Sequence, residues 1–498
     1  MTQETGILEP KEPNIGHPKG LYVLFLAEMW ERFCYYGMRV LLTLYLIKVL
    51  MKGDNEAFAI YGAYTALVYA APVLGGKIAD KILGYRIAVI LGGVLMALGE
   101  FMILGGTDAW LFLGMGAIIV GNGYFKANIS SIVGKLYRDG DPRRDSGFTI
   151  FYIGINVGAL LATTVCAEVG DKFGYHYGFA LAGFGMLLGL LIFVLGQNRF
   201  RHVAEPPNPE ALKAKYFGPF NQLWTVILAS LLAIPLLYVL IVYNAVVGYL
   251  LIAVGLYVIY GLLSRGFKEG KVLRDRMIVF IILMFFNITF WACFEQAGTS
   301  LTLFAERNVD RQIGNFEMGA PTTQFFNPLF IILFGSVFSV MWIYLNRIKK
   351  NPSIPAKFGL GILQLGLGYL VIQLGYQFVS PEYLVPLWTL VILYLLHTTG
   401  ELFLSPIGLS MVTKLVPKDM TGTAMGAWFL SFSASNFLAG VLAKFTGAEV
   451  EEGAVADPSA SLAQYLDVYT SMGLITVGIG IFLVLISKPL NKMMHGIT

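Results

Sequence analysis

Apolar runs of roughly twenty residues or more recur along the chain from residue 21 to residue 487. Wound as an α-helix, such a run matches the thickness of a bilayer's hydrocarbon core. The runs are continuously apolar and do not alternate with period two, which argues against a β-barrel. Composition points the same way. Of the 498 residues 56% are hydrophobic and 13% charged, with a mean hydropathy of +0.69. A water-soluble chain of this length needs more polar surface than that. The expected fold is an all-α polytopic membrane protein with about fourteen spans, each needing roughly twenty apolar residues. They fall near 21–50, 57–80, 85–107, 110–137, 145–169, 175–198, 223–243, 246–267, 275–304, 324–346, 356–379, 384–414, 420–446 and 464–487.

The first residues, MTQETGILEPKEPNIGHPKG, are polar and rich in Pro and Gly. They lack an apolar h-region and a small-residue cleavage site, so a loosely docked or disordered tail is expected rather than a cleavable signal. Cys34, Cys166 and Cys293 all fall in apolar segments and show no metal-ligand spacing. They read as small buried hydrophobes, and no metal site is expected.

Charge placement gives orientation. Loops containing KIADKILGYR, GKLYRDGDPRRD, NRFRHVAEPPNPEALKAK, SRGFKEGKVLRDR, NRIKKNPSIPAK, TKLVPKDM and SKPLNKMM, with the N-terminal tail, hold 26 of the 35 Lys and Arg residues. The opposite loops hold six: Lys48, Lys52, Lys172, Arg307, Arg311 and Lys444. That bias puts both termini in the cytoplasm, and the expected location is the cell inner (plasma) membrane.

The spans at 223–243 and 246–267 carry almost no ionisable residues, and setting them aside leaves six before and six after. Six plus six is the arrangement of the major facilitator transporters. The loop GGKIADKILGYR resembles that superfamily's signature between its second and third helices. The expected organisation is a tail at 1–20, a six-helix bundle at 21–198, and cytoplasmic linkers with two inserted helices at 199–274. A second six-helix bundle follows at 275–490, then a short tail at 491–498.

Ionisable residues inside apolar spans are costly and mark cavities or pathways. In the opening span Glu28, Glu31, Arg32, Tyr35, Tyr36 and Arg39 follow at i, i+3, i+4, i+7, i+8 and i+11, which is one helix face. The stripe therefore points to the protein interior. As a purely structural ion-pair cluster it would be a poor stabiliser, so a cavity wall is the better reading. Further polar groups sit deep in other spans: Lys126 in GNGYFKANIS, Asn156 in FYIGINVGAL, Glu295 in WACFEQAG, Asn327 beside Pro328, and Glu401 in HTTGELFLSP. Arg39 and Lys126 come from the first half and suit an anionic group. Glu295 and Glu401 come from the second half and suit a cationic one. Such a cavity fits a zwitterion. Glu28, Glu31, Glu295 and Glu401 against Arg32, Arg39 and Lys126 are four acids and three bases, so one added proton balances them. Glu100, in ALGEFMIL, is a further acid that reads equally as functional or as an outward-facing or interfacial carboxylate.

The motifs carry a family resemblance. EMWERFCYYG resembles the E-x-x-E-R-F-x-Y-Y-G motif of the proton-coupled oligopeptide transporters. FYIGINVGAL is similar to that family's F-Y-x-x-I-N-x-G-S-L, with Ala159 where Ser is usual. GNGYFKANIS is similar to G-N-G-x-F-K-P-N, with Ala127 for Pro, and GELFLSPIGLS to the motif around the family's later acidic residue. The two featureless spans match the extra helical pair of bacterial members. The resemblance implies a symporter importing di- and tripeptides by alternating access, with peptidomimetic compounds as further substrates and the proton as coupling ion in place of any cofactor. It implies Glu28, Glu31, Arg32, Lys126 and Glu295 in proton coupling. Arg39 and Lys126 would take the peptide carboxylate, with Tyr35, Tyr36 and Tyr69 nearby. Asn156, Asn327, Glu295 and Glu401 would take the amino terminus and backbone, and Trp291, Ser405, Trp428 and Phe429 would line side-chain pockets. It also implies a lipid-embedded monomer with no nucleic-acid partner.

Other classes fit less well. His397 lies near Glu401, but no H-E-x-x-H or serine-hydrolase motif appears, so an intramembrane enzyme is not expected and His397 reads as a packing residue. Nothing suggests the selectivity ring of a channel. The nearest rival is a transporter of the same family carrying nitrate or a drug-like zwitterion.

Overall fold

In a computed structural model, residues 16–138, 140–447 and 457–497 are described. Most of the expected tail lies outside them, as do residues 448–456 of the stretch GAEVEEGAVADPSASLA at 447–463, which the sequence reads as an acidic loop on the non-cytoplasmic side. Helices occupy each apolar run: α1 Lys19–Lys48, α2 Asp54–Ile78, α3 Gly84–Ile103, α4 Asp108–Lys135, α5 Arg144–Leu161, α6 Tyr175–Gly196, α7 Gln222–Val242 and α8 Asn244–Lys268. They continue as α9 Lys271–Phe294, α10 Phe326–Arg347, α11 Ile354–Gly375, α12 Trp388–Leu415, α13 Thr421–Ala443 and α14 Pro458–Met493. Eleven described helical segments are long and apolar enough to cross a membrane by length and composition. One of these, Asp54–Ile103, runs α2 and α3 together, and the charge-bearing α1 and α4 are not among them. The last helix extends beyond the expected 464–487 at both ends. Asp457 caps its first turn by accepting from the Ala460 N–H, and Pro458 supplies a pre-set φ at the first position.

Helices α1–α6 build one hydrophobic core, around Leu41, Tyr64, Met115, Phe125 and Phe179. Helices α9–α14 build a second, around Phe280, Phe358, Tyr369, Trp428 and Tyr469. Large apolar side chains on the outside, such as Leu232, Leu256 and Leu485, stay exposed, as a hydrocarbon solvent allows. The hairpin α7–α8 touches both cores. The Tyr124 and Ser230 hydroxyls bond at 2.9 Å between α4 and α7, and a β-carbon on Gly248 of α8 would meet the Phe437 ring of α13 at 2.7 Å.

Two close approaches set the frame of the site. A β-carbon on Gly158 of α5 would lie 2.9 Å from Arg32 Cβ of α1, so glycine lets α5 lie against the charged stripe. Gly84, at φ +70°, ends the π-helical turn Ala79–Leu83, and a β-carbon there would lie 2.6 Å from the Glu205 carbonyl. The segment around Glu205 is thus seated on the start of α3, where Glu205 also meets Arg86 at 3.1 Å.

Candidate functional site

The stripe on α1 faces inward as its spacing predicts. Glu28, Glu31, Arg32 and Arg39 are all buried. Arg32 grips Glu31 with two bonds, Nε to Oε2 at 2.5 Å and Nη2 to Oε1 at 2.6 Å, and Nε lies 3.3 Å from Glu28 Oε1. Asn122 of α4 donates to Glu31 Oε1 at 3.1 Å, while Glu28 Oε2 has no hydrogen-bond partner. This cluster belongs wholly to the first core.

Two turns along, Arg39 does something else. Its guanidinium pairs with Glu295 and donates to the Tyr61 hydroxyl. The rings of Tyr36 and Tyr61 flank it at 5.8 and 5.7 Å. Glu295 follows α9 in a short 3-10 segment, Glu295–Gly298, and so belongs to the second half. Sequence placed Arg39 and Glu295 on opposite walls of a cavity. In the structure they are the bond that joins the walls, because each is a buried charge that needs a counter-charge. The same end is tied further: Thr43 Oγ1 donates to the Gly298 carbonyl at 2.6 Å, Lys48 pairs with Glu306, and Arg307 forks onto Asp54 at 2.6 and 2.9 Å. Glu168 accepts from Thr322 Oγ1 at 2.6 Å and from the Gly319 N–H at 2.9 Å.

Between the halves lies a cavity of about 630 Å³ that reaches the Asp145, Phe148 and Thr149 end of α5. Of the expected residues, Tyr69, Lys126, Trp291, Glu401, Ser405, Trp428 and Phe429 line it. Lys126 stands on the first half with its ammonium 4.2 Å from the Tyr69 ring centre. Glu401 stands on the second, accepting from Asn327 Nδ2 at 3.0 Å, and Asn327 also donates to Thr398 at 3.0 Å. Asn327 therefore contacts Glu401 from behind and is not among the lining residues. Phe432 stacks on Tyr69 at 6.1 Å and tilts against Trp291 at 5.4 Å, joining the aromatic side of the cavity.

Several expected residues lie elsewhere. Tyr35 is fully buried within the first core, with its hydroxyl unpartnered, and does not line the cavity. Asn156 bonds back to the Tyr152 carbonyl at 3.0 Å in its own helix, leaving Tyr152 on the lining. Tyr36, Arg39 and Glu295 are likewise off the lining, at the tied end. The outward-facing alternative for Glu100 does not hold: it is completely buried, accepting from Cys34 Sγ at 3.5 Å. His397 is buried against Tyr369 at 4.9 Å, as a packing residue should be. All three cysteines are free and buried. Sequence reasoning missed Tyr61, Tyr152, Asn287, Asp145 and Phe432. Asp145 and Tyr152 had a signal, since Asp145 ends GKLYRDGDPRRD and Tyr152 is the second residue of FYIGINVGAL. Tyr61 had none beyond its place in an apolar run.

Comparison with known proteins fits this geometry. The POT family model matches residues 82–456, and the chain belongs to that family. The dipeptide and tripeptide permease B of Photorhabdus asymbiotica is 33% identical over 496 residues, spanning 98% of this chain and 99% of that protein. A crystal structure of peptide transporter POT in complex with sulfate superposes with a TM-score of 0.81 at 34% identity over 98% of both chains. That of a POT family transporter in complex with 5-aminolevulinic acid gives 0.80 at 30% identity, covering 97% of this chain and 98% of that one. These relatives are transporters, so the fold and cavity belong to a membrane transporter and not to an enzyme.

Proposed function

We propose that this chain is a proton-coupled symporter that imports di- and tripeptides by alternating access, acting as a monomer in the inner membrane with both termini cytoplasmic. The single observation that carries the reading is the Arg39–Glu295 pair. It joins the two halves through groups suited to a peptide carboxylate and to a proton.

In the proposed cycle Arg39 alternates between two anions. Protonating Glu295 removes its charge and frees Arg39 to take a peptide carboxylate, with Lys126 as the second cation on the same half. Glu401, held by Asn327, takes the peptide's ammonium. When the proton leaves Glu295, the carboxylate reclaims Arg39 and the tied end stays shut while substrate departs by the other. Glu28, Glu31 and Arg32 form a second proton station on the same helix. Two carboxylates there share one guanidinium, so one added proton balances the cluster and a change of partner at Arg32 alters which acid holds it. Main-chain recognition by charges, with aromatic walls from Trp291, Trp428 and Phe432, suits varied side chains and peptidomimetics. Under the positive-inside orientation the tied end faces outward and the 630 Å³ cavity opens inward.

Uptake of labelled dialanine into proteoliposomes tests this. An inward proton gradient should drive accumulation, and a protonophore should abolish it. Accumulation that persists without the gradient would make the chain a facilitator. Absence of any dipeptide uptake or competition would move it to another substrate.

A further inference from the structure

A second and larger cavity, of about 960 Å³, lies at the opposite end from the Arg39–Glu295 tie, between the end of α4, the start of α5 and the segment around Glu205. Three basic side chains line it: Lys135, Arg144 and His202. None of the three is in an ion pair with a described carboxylate. The Lys135 ammonium rests 4.5 Å from the Tyr85 ring centre. The Arg144 guanidinium lies over Gly134 of α4, 3.5 Å from where a β-carbon would stand.

Three of the acids nearby are already engaged, and Asp145 lines the other cavity. Glu205, the acid on the lining, is held by Arg201 at 2.5 Å and Arg86 at 3.1 Å. Asp80 accepts from the Tyr85 hydroxyl at 2.8 Å, and Asp141 pairs with Arg143 at 2.8 Å. The concavity therefore presents cationic donors whose charge the described carboxylates do not cancel. An arginine fork and a lysine point charge across one recess suit a tetrahedral oxyanion, and the Ser130 and Tyr137 hydroxyls add polar lining.

We propose that this cavity is a binding site for a phosphate oxyanion, either a phospholipid headgroup or free phosphate. It is independent of what the central cavity carries, but it is placed to influence it. Phe148 lines both cavities. Arg144 faces this one while its neighbour Asp145 lines the other, and α4 carries Lys135 here and Lys126 there. An anion bridging Lys135 and Arg144 would fix the spacing of α4 and α5 at the mouth of the transport cavity.

The test uses the full chain in phosphatidylcholine nanodiscs, with the thermal midpoint as readout. One arm adds phosphatidylglycerol to the bilayer. The other titrates inorganic phosphate against chloride at constant ionic strength. A rise in midpoint with phosphate identifies the free anion, and a rise with phosphatidylglycerol alone identifies the headgroup. The Lys135→Gln/Arg144→Gln variant should need about 25-fold more of the effective anion, at about fivefold per charge. Lys349→Gln/Lys350→Gln, which lowers charge equally at another basic loop, should respond as the parent does. The proposal is overturned if neither anion raises the midpoint, if the Lys135/Arg144 variant responds like the parent, or if the control loses as much.

Discussion

At the end carrying Thr43, Lys48 and Gly298, the two halves hold each other: Arg39 with Glu295, Lys48 with Glu306, Arg307 with Asp54, and Glu168 with Thr322. At the other end the ion pairs Arg86–Glu205, Arg201–Glu205, Arg143–Asp141 and Arg274–Asp275 each close within one half. Both cavities open there. Arg265 on α8 also pairs there with Asp419 of the second half, but among the described residues no ion pair at this end joins the first core to the second, and that is where the two ends differ. Under the proposed function, charge that crosses acts as a gate and charge that stays within a half as scaffold. On the proposed alternating cycle one pattern is traded for the other, and the crossing pairs are where substrate and proton would gain their leverage.

The sharpest way to break that comparison is at its most buried member. Arg39→Ala strands Glu295 as an unpaired buried carboxylate, which costs about 3–5 kcal/mol. Dipeptide affinity should fall by about a hundredfold or more, since 1.4 kcal/mol is about tenfold. Binding measured in detergent checks this, and unchanged affinity would remove Arg39 from the carboxylate site. Glu31→Gln acts on the cluster that stays within one half. It should abolish proton-driven accumulation in proteoliposomes while leaving peptide exchange between preloaded vesicles and medium. Undiminished accumulation would end the case for Glu31 as a proton carrier. Arg307→Gln removes a crossing pair at the partly exposed rim, where one pair contributes about 1 kcal/mol at most. A shift of about fivefold or less toward the outward-open form is expected, read by cysteine accessibility at the Lys48 end. A shift as large as that from Arg39→Ala would mean that the rim, rather than the buried centre, sets the gate.

Much of this was legible in the chain and some was not, for physical reasons. Helical period places Glu28, Glu31, Arg32 and Arg39 on one face, and the structure buries all four. Period gives direction but not partner. Arg39 and Glu295 are 256 positions apart, and no local pattern says whether opposite charges from two halves face a ligand or each other. Asn156 and Asn327 were identifiable as buried amides, yet whether an amide touches a cavity or supports the residue that does depends on a rotation of the helix that spacing leaves open. Glu100 shows the same limit: it lies in an apolar run whose lipid side and core side read alike. The cavity lined by Lys135, Arg144 and His202 is not legible locally because its donors come from two separate basic segments, GKLYRDGDPRRD and NRFRHVAEPPNPEALKAK, each reading alone as an ordinary cytoplasmic loop.

Glu205 offers the finest test, because it ties two arginines within the first half and never crosses the plane. Partial burial alone would push its carboxyl up, but hydrogen bonds from Arg201 and Arg86 outweigh this and hold it below the ordinary carboxylate value. The sign follows from linkage. With the folded-state value depressed, the stabilisation is fully present above the unfolded-state value and is lost as pH falls through the lower folded-state one. Thermal midpoints of the parent should therefore drop on acidification below about pH 4.5, and Glu205→Gln should remove that part of the drop. The difference should be small, under about 1 kcal/mol for a solvent-accessible pair, and peptide uptake at neutral pH should change little. If Glu205→Gln instead cut uptake as deeply as Arg39→Ala, the pairs that stay within a half could no longer be called scaffold, and the distinction between the two ends would fail.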